Sequence, residues 1–330
     1  MPPRPPPPIM PHDLALDIVP TPYTHRDDMF EHIRSAVHFA RCRAHDESAL
    51  YVYVQCVLES FCCSASMPFD QRPRYRLACC AQKRIRVEEA DKDTSRVPDF
   101  STWFFPVPSR TQFGSQFSSN MAPKDIINQT IEVKPAPLPH HPTWACLPDV
   151  RRGHSIDTQD MDNIYSAFFP HVTQTLVQLN HSYRHSDDSK ELYAILIVGL
   201  WFAVFKSDVS SDRLPDPSDP RDSSADPPRR HTILAAVDSR QKALEAVEHL
   251  CHIPPQPIFG SAEIDGFNPH FIQALIDSTS RHSDLSGTKI KPHEYFRWVC
   301  DHATMKPWNV ANVDAFTSNV QNQSLADDAR

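Results

Sequence analysis

A chain of 330 residues, 40% hydrophobic and 22% charged, is long enough to bury a substantial core, and its formal net charge of −8 argues against a broad basic surface. Its six glycines fit neither a phosphate-cradling loop nor a dinucleotide fingerprint, and no G-x-S-x-G elbow occurs, which argues against kinases, ATPases and hydride-transfer enzymes. Nine cysteines without a C-x-x-C pair point to reduced thiols in an intracellular protein, nuclear or cytoplasmic.

Proline is abundant, at 32 residues, and clustered. Residues 1–25, opening MPPRPPPP, read as a disordered leader. PAPLPHHP at 135–142 reads as a loop, and IPPQP at 253–257 as a linker. No signal-peptide core precedes residue 30. The most apolar run, YAILIVGLWFAVF at 193–205, is too short to span a bilayer as a helix, so no membrane partner is expected.

In chain order, a helix is predicted over 26–43, with Phe30, Ile33, Val37 and Phe39 on or near one side. A second covers 46–63, capped by Asp46. Strands follow at 74–87, 97–107 and, after a polar loop at 108–128, 130–134. The helix that comes next contains Pro170, which should break or kink it and leave 171–185 as its regular part. Two strands, 193–200 and 201–208, turn around Gly199. Residues 209–230 form a flexible Pro/Asp/Ser linker. Residues 231–315 add a strand, a helix to residue 250 and short helices at 271–279 and 293–303, and 316–330 form a polar tail. The predicted class is α/β, with a mixed central sheet flanked by helices in the order αβββαβ.

Within this order one stretch carries chemistry. In the run IEVKP, Glu132 and Lys134 share one strand face and Ile131 and Val133 the other. The preceding strand opens with Asp99 after Pro98, so a hairpin pairing brings Asp99 to Glu132 and Lys134. Two close carboxylates repel unless a countercharge intervenes. Mg²⁺, or Mn²⁺, fits that need: it takes one or two carboxylates, waters and substrate phosphate oxygens. A neighbouring lysine can then orient the attacking water or stabilise developing charge. Such a set suits hydrolysis of a phosphodiester, with nucleic acid as partner.

Pro98-Asp99 followed by Glu132-Val133-Lys134 resembles the signature of the PD-(D/E)XK nuclease superfamily. Glu47-Ser48-Ala49-Leu50, opening the helix before the sheet, is similar to its acid-bearing first helix. Gln174, Gln178-Leu179 and Tyr183 are similar to the glutamine-rich helix that follows the lysine strand. In style the chain is closest to the uncharacterised fungal members. The resemblance, over about residues 46–208, implies a restriction-endonuclease-like core across 26–208. It further implies Asp99, Glu132 and the Val133 carbonyl as metal ligands and Lys134 as catalytic. Glu47 becomes a supporting acid, with Glu59 as substitute, and Gln178 a contact to substrate or to the lysine region.

Plainer roles stand beside these. Glu132 and Lys134 can be a solvated ion pair, Asp99 a turn acid, Glu47 a first-turn acid on the helix dipole, and the glutamines a polar face. A nuclease fold that has lost hydrolysis and serves as a binding module is the alternative reading. A glycosidase is a third, with two acids in a cleft lined by Trp103, Phe104 and Phe105. Lys83-Arg84-Ile85-Arg86 can face phosphate or simply solvate an edge strand, and Arg151-Arg152 is a further possible phosphate contact. A zinc site from Cys146 with His140 or His141 lacks a second ligand pair.

Overall fold

The apolar run from Leu192 to Phe205 lies at the centre of a six-stranded sheet, buried on both faces. The computed structural model describes residues 26–43, 45–64, 75–89, 92–106, 126–136, 158–185, 191–208, 237, 240–261, 266–280 and 310–328. Those residues form helices α1 (Arg26–Arg41), α2 (Glu47–Ser64), α3 (Thr158–His185), α4 (Arg240–Leu250), α5 (Pro269–Ser280) and α6 (Val310–Asp328). The main sheet, in the order β1-β4-β5-β6-β7-β8, comprises Tyr75–Ala81, Phe100–Pro106, Ile126–Lys134, Glu191–Val198, Trp201–Asp208 and Cys251–Pro257. Only β5 and β6 run parallel, so the sheet is mixed and the chain is an α/β protein.

Alternation along the strands divides the core in two. Ile131, Val133, Ile195 and Ile197 pack with α1, α2 and α5. Ala194, Leu196 and Val198 pack with α3, α4 and α6 on the opposite face. Covering helices on both faces explain why β6 reads as an unbroken apolar run. Gly199 closes the β6–β7 hairpin at φ 60°, a left-handed conformation that favours glycine. Its N–H donates to the Lys134 carbonyl at 2.9 Å, and its own carbonyl accepts the Tyr53 hydroxyl at 3.2 Å.

Several elements differ from expectation. The first strand stops at Ala81, and Gln82 turns the chain at φ 49° into a separate hairpin of β2 (Ile85–Glu89) and β3 (Lys92–Arg96). The strand through Asp99 begins at Phe100, and the strand of Glu132 begins four residues before Thr130, at Ile126. Its early residues Asn128, Gln129 and Thr130 are polar letters, yet they are fully buried. Helix α3 continues through Pro170, which is exposed, and the carbonyl that loses its donor there belongs to the half-buried Ser166.

The supposed linker IPPQP is strand β8. It tolerates Pro254 and Pro255 because β8 is an edge strand paired only with β7. Residues 316–328 belong to α6 and are no loose tail: Val313, Phe316 and Val320, at helical spacing, pack on α3 and α4. Phe39 is exposed rather than on the buried side of α1, with the Arg43 guanidinium 4.8 Å from its ring centroid. The leader at 1–25, the linker at 209–230, the strand before residue 237 and the helix at 293–303 lie outside the described residues. So do Cys146, His140, His141 and Arg151-Arg152. Among the described residues no helix is long and apolar enough to cross a membrane.

Candidate active site

The β4–β5 pairing is antiparallel and sets Phe100 against Ile131, so one residue further on Asp99 stands against Glu132. Higher up, Thr102 pairs with Gln129 but Trp103 with Ile127, leaving Asn128 as the extra residue of a β-bulge. Asn128 and Gln129 consequently both reach Ser278 on α5, on the same side of the sheet: Asn128 Nδ2 donates to Ser278 Oγ at 3.2 Å, and the one Ser278 proton is divided between Gln129 Oε1 at 3.1 Å and the Leu275 carbonyl at 2.9 Å. Below the bulge the alternation is reset, with Ile131 and Val133 facing α2 and Glu132 facing α3.

Asp99, Glu132 and Lys134 meet where β4 begins and β5 ends. Lys134 Nζ lies 2.9 Å from Glu132 Oε2 and 3.3 Å from Asp99 Oδ2. The Val133 N–H donates to Asp99 Oδ2 at 2.8 Å. On a strand the N–H and C=O of one residue point off the same side, so the Val133 carbonyl is directed toward Asp99's side of β5. Glu132 is almost fully buried, whereas Lys134 and Asp99 retain 14% and 13% side-chain exposure. One group is therefore locked while two meet solvent.

Both helical layers reach this point. From α3, Gln174 Nε2 donates to Glu132 Oε2 at 3.0 Å, and Gln178 Nε2 donates to Glu132 Oε1. Gln178 thus contacts a carboxylate of the pair, and Gln174 works beside it. From α2, the Tyr51 hydroxyl stands 2.6 Å from Asp99 Oδ1 and 2.8 Å from Glu47 Oε1. Glu47 is linked to the cluster through that phenol and not by direct contact. Asp46 caps α2 through its contact to the Ser48 N–H at 2.9 Å, which fixes the turn carrying Glu47. Glu59 pairs with Gln55 on an exposed part of α2 and takes no part.

The electrostatics follow the packing. Burial and then the Asp99 charge push Glu132 up from 4.5 to about 7, against the pull of Lys134 and Gln178. Burial alone disfavours the Lys134 cation, but Glu132, Asp99 and Glu47 outweigh it and raise its pKa. Burial, then hydrogen bonding to Asp99 and Glu47, raises the Tyr51 phenol, which stays protonated. His171, one helical turn before Gln174, is pushed down from 6.5 to about 4 by burial and by the Lys134 charge, and is neutral at pH 7.

Asp99, Glu132, Lys134 and Gln178 are therefore brought together as expected from sequence, and Glu47 joins indirectly. Sequence reasoning missed Tyr51 and His171. Tyr51 sits at i+4 from Glu47 and His171 at i−3 from Gln174, spacings that place each on the same helix face as a residue already singled out. Of the three aromatics expected to line a cleft, Trp103 and Phe104 are instead buried in the two cores, and the Phe105 side chain lies outside the described residues.

The donor set suits a hard cation. Asp99 Oδ1 and Glu132 Oε1 each accept one hydrogen bond from the described residues, and Oδ2 and Oε2 two, counting the Lys134 contacts. One lone pair on each of the first two oxygens is thus left for a ligand. Three carboxylates face one ammonium, so the cluster is short of positive charge. Among the described residues no group of three or more His, Cys, Asp and Glu side chains is gathered as a metal cage. Mg²⁺ needs none, since it binds through one or two carboxylates and keeps its waters. No family model, curated protein or solved structure matches this chain.

Proposed function

We propose that the chain is a Mg²⁺-dependent nuclease of the PD-(D/E)XK type, with a restriction-endonuclease-like core, hydrolysing phosphodiester bonds of DNA or RNA. The observation that carries this reading is the convergence of Asp99, Glu132 and Lys134, all within hydrogen-bonding reach at the ends of two paired strands. An acid-bearing helix before those strands and a glutamine-bearing helix after them support it.

In this reading Asp99, Glu132 and the Val133 carbonyl hold the ion, Mg²⁺ or Mn²⁺, which when bound polarises the phosphoryl group and supplies an acidic water. Gln174 and Gln178 hold the Glu132 carboxylate in one orientation. Lys134, with three donors and two carboxylate contacts, is partly exposed and so positioned to align a water or to meet charge on the phosphate. Tyr51 and the Val133 N–H fix Asp99 from opposite sides.

One observation favours the second reading, a binding module that keeps the fold without hydrolysis. Lys134 is already engaged by both carboxylates, which neutralises part of their charge without any ion. A cleavage assay on single- and double-stranded DNA and RNA, with Mg²⁺, Mn²⁺ or EDTA, separates the two. Metal-dependent cutting lost in Lys134→Ala and in Asp99→Asn is the expected result. Folded wild type that cuts nothing under either metal overturns the nuclease and leaves the binding module.

A further inference from the structure

Gln82 breaks β1 at φ 49°, and its N–H donates to the Asp99 carbonyl at 2.9 Å. That bond ties the root of the β2–β3 hairpin to the site. On the outgoing side Arg84 follows two residues after Gln82, and on the returning side Arg96 lies three residues before Asp99. Ile85 pairs with Arg96, so the two arginines sit at neighbouring rungs of the same hairpin end. Both are exposed, and among the described residues neither forms an ion pair.

The positive charge continues beyond them. Lys83 Nζ lies 3.6 Å from the Trp103 ring centroid, and the His185 ring packs edge-on to the same tryptophan at 5.7 Å. Arg184, exposed, precedes His185 in the last turn of α3. Trp103 is four residues along β4 from Asp99, about 13 Å at strand spacing. Basic residues thus follow along the chain from the Gln82–Asp99 bond to Trp103 and the last turn of α3, with Glu88, Glu89 and Asp93 as the acids further along the same hairpin. A strip of roughly 13 Å covers about three to four phosphates of one strand at a rise near 3.4 Å. In a chain of net charge −8, a basic strip that starts at the candidate site favours a polyanion delivered to that site.

We infer that Lys83, Arg84, Arg96 and Arg184 form the surface on which the phosphodiester backbone of a nucleic acid docks, with Arg84 and Arg96 as the phosphate contacts nearest the candidate site. The nuclease reading supplies the identity of the polyanion, and the inference rests on it to that extent. The charge placement is independent of hydrolysis.

Binding is tested without cleavage, by fluorescence anisotropy of labelled single- and double-stranded DNA and RNA with the full chain in EDTA. Salt is varied over about 50–200 mM, where each phosphate neutralised adds about 0.9 to the slope of log affinity against log salt on duplex DNA and about 0.7 on single strands. The Arg84→Gln/Arg96→Gln double variant should lower that slope by about 1.4–1.8, so that wild type loses roughly tenfold more affinity across the range than the variant does. Arg34→Gln, an exposed change on α1 in the opposite layer, should match wild type. No nucleic-acid binding by wild type at low salt, or a double variant with an unchanged slope, overturns the surface. Binding with the expected slopes but no cutting under Mg²⁺ or Mn²⁺ keeps the surface and discards the nuclease. Cutting with an unchanged slope does the reverse.

Discussion

The Tyr51 hydroxyl stands 2.6 Å from Asp99 Oδ1, and its one proton is shared with a second claimant, Glu47 Oε1, at 2.8 Å. A phenol can donate to only one carboxylate at a time, so the arrangement is short of a donor. Removing the hydroxyl and supplying a donor should therefore act in opposite directions. Tyr51→Phe leaves Asp99 and Glu47 without the bond and should cost about 1.5–3 kcal/mol of stability, as for a hydrogen bond to a charged group. Glu47→Gln gives the phenol oxygen an amide donor while Tyr51 donates to Asp99, and should be neutral or stabilising. Denaturant midpoints of the two variants check this, and a Glu47→Gln loss as large as that of Tyr51→Phe contradicts it.

Sequence pattern located the acids and the lysine because strand alternation is local: Glu132 and Lys134 must share a face whatever surrounds them. The glutamine helix and the β6–β7 hairpin were legible for a similar reason, through helical spacing and an apolar run turning at Gly199. Tyr51 was not, since on α2 it looks like one more aromatic on a buried helix, and its partner Asp99 is 48 residues away. The start of β5 was hidden because Asn128, Gln129 and Thr130 have loop-like side chains. In the core the bulge and α5 answer only Asn128 Nδ2 and Gln129 Oε1, while Asn128 Oδ1, Gln129 Nε2 and Thr130 Oγ1 find no hydrogen-bond partner among the described residues. Strand β8 was misread for the converse reason: its prolines signal a linker, and only its edge position lets them stay.

The bulge is held by Ser278, which ties α5 to two consecutive residues of β5. Ser278→Ala removes an acceptor from Asn128 and a donor that Gln129 Oε1 shares with the Leu275 carbonyl, inside a buried polar group, at an expected cost of about 1–3 kcal/mol. The Thr102 hydroxyl still accepts from Asn128 at 2.9 Å, so the fold should survive. Thermal or denaturant unfolding of the variant reads the loss. An unchanged midpoint means that the hydroxyl contributes nothing to holding β5 against α5.

Stability should also depend on pH through Glu132. Its folded pKa is raised to about 7 from an ordinary 4.5, so the folded chain holds this proton more tightly than the unfolded one. The contribution is fully present below about 4.5 and is lost as pH rises through about 7. His171 slopes the other way, since its folded value near 4 makes the fold lose stability as pH falls below its ordinary 6.5. The two oppose each other between 4.5 and 6.5, so the wild type alone gives a muted profile. The difference between wild type and Glu132→Gln isolates the carboxylate. Without divalent metal, wild type should lose about 1–3 kcal/mol relative to Glu132→Gln between about pH 5 and pH 8. Urea midpoints at those two pH values suffice, and a flat difference removes the buried acid from the account.

Divalent metal should reverse that loss if the carboxylates hold it. Mg²⁺ binding to the folded chain alone stabilises by about 2.7 kcal/mol at roughly 100 times its dissociation constant. In wild type the ion enters a site where Lys134 already neutralises part of the charge. Lys134→Ala exposes Asp99 and Glu132 to each other, so the metal-free variant should be the less stable protein and should gain more from Mg²⁺ than wild type does. The Asp99→Asn/Glu132→Gln double variant keeps the shape, loses both charges and should gain nothing. Melting temperatures of the three proteins with and without Mg²⁺, compared with the same ionic strength of NaCl, provide the readout. A gain confined to the proteins that keep both carboxylates supports an ion at this site. Equal gains in all three trace the effect to ionic strength, and Asp99, Glu132 and Lys134 then stand as a closed ion network.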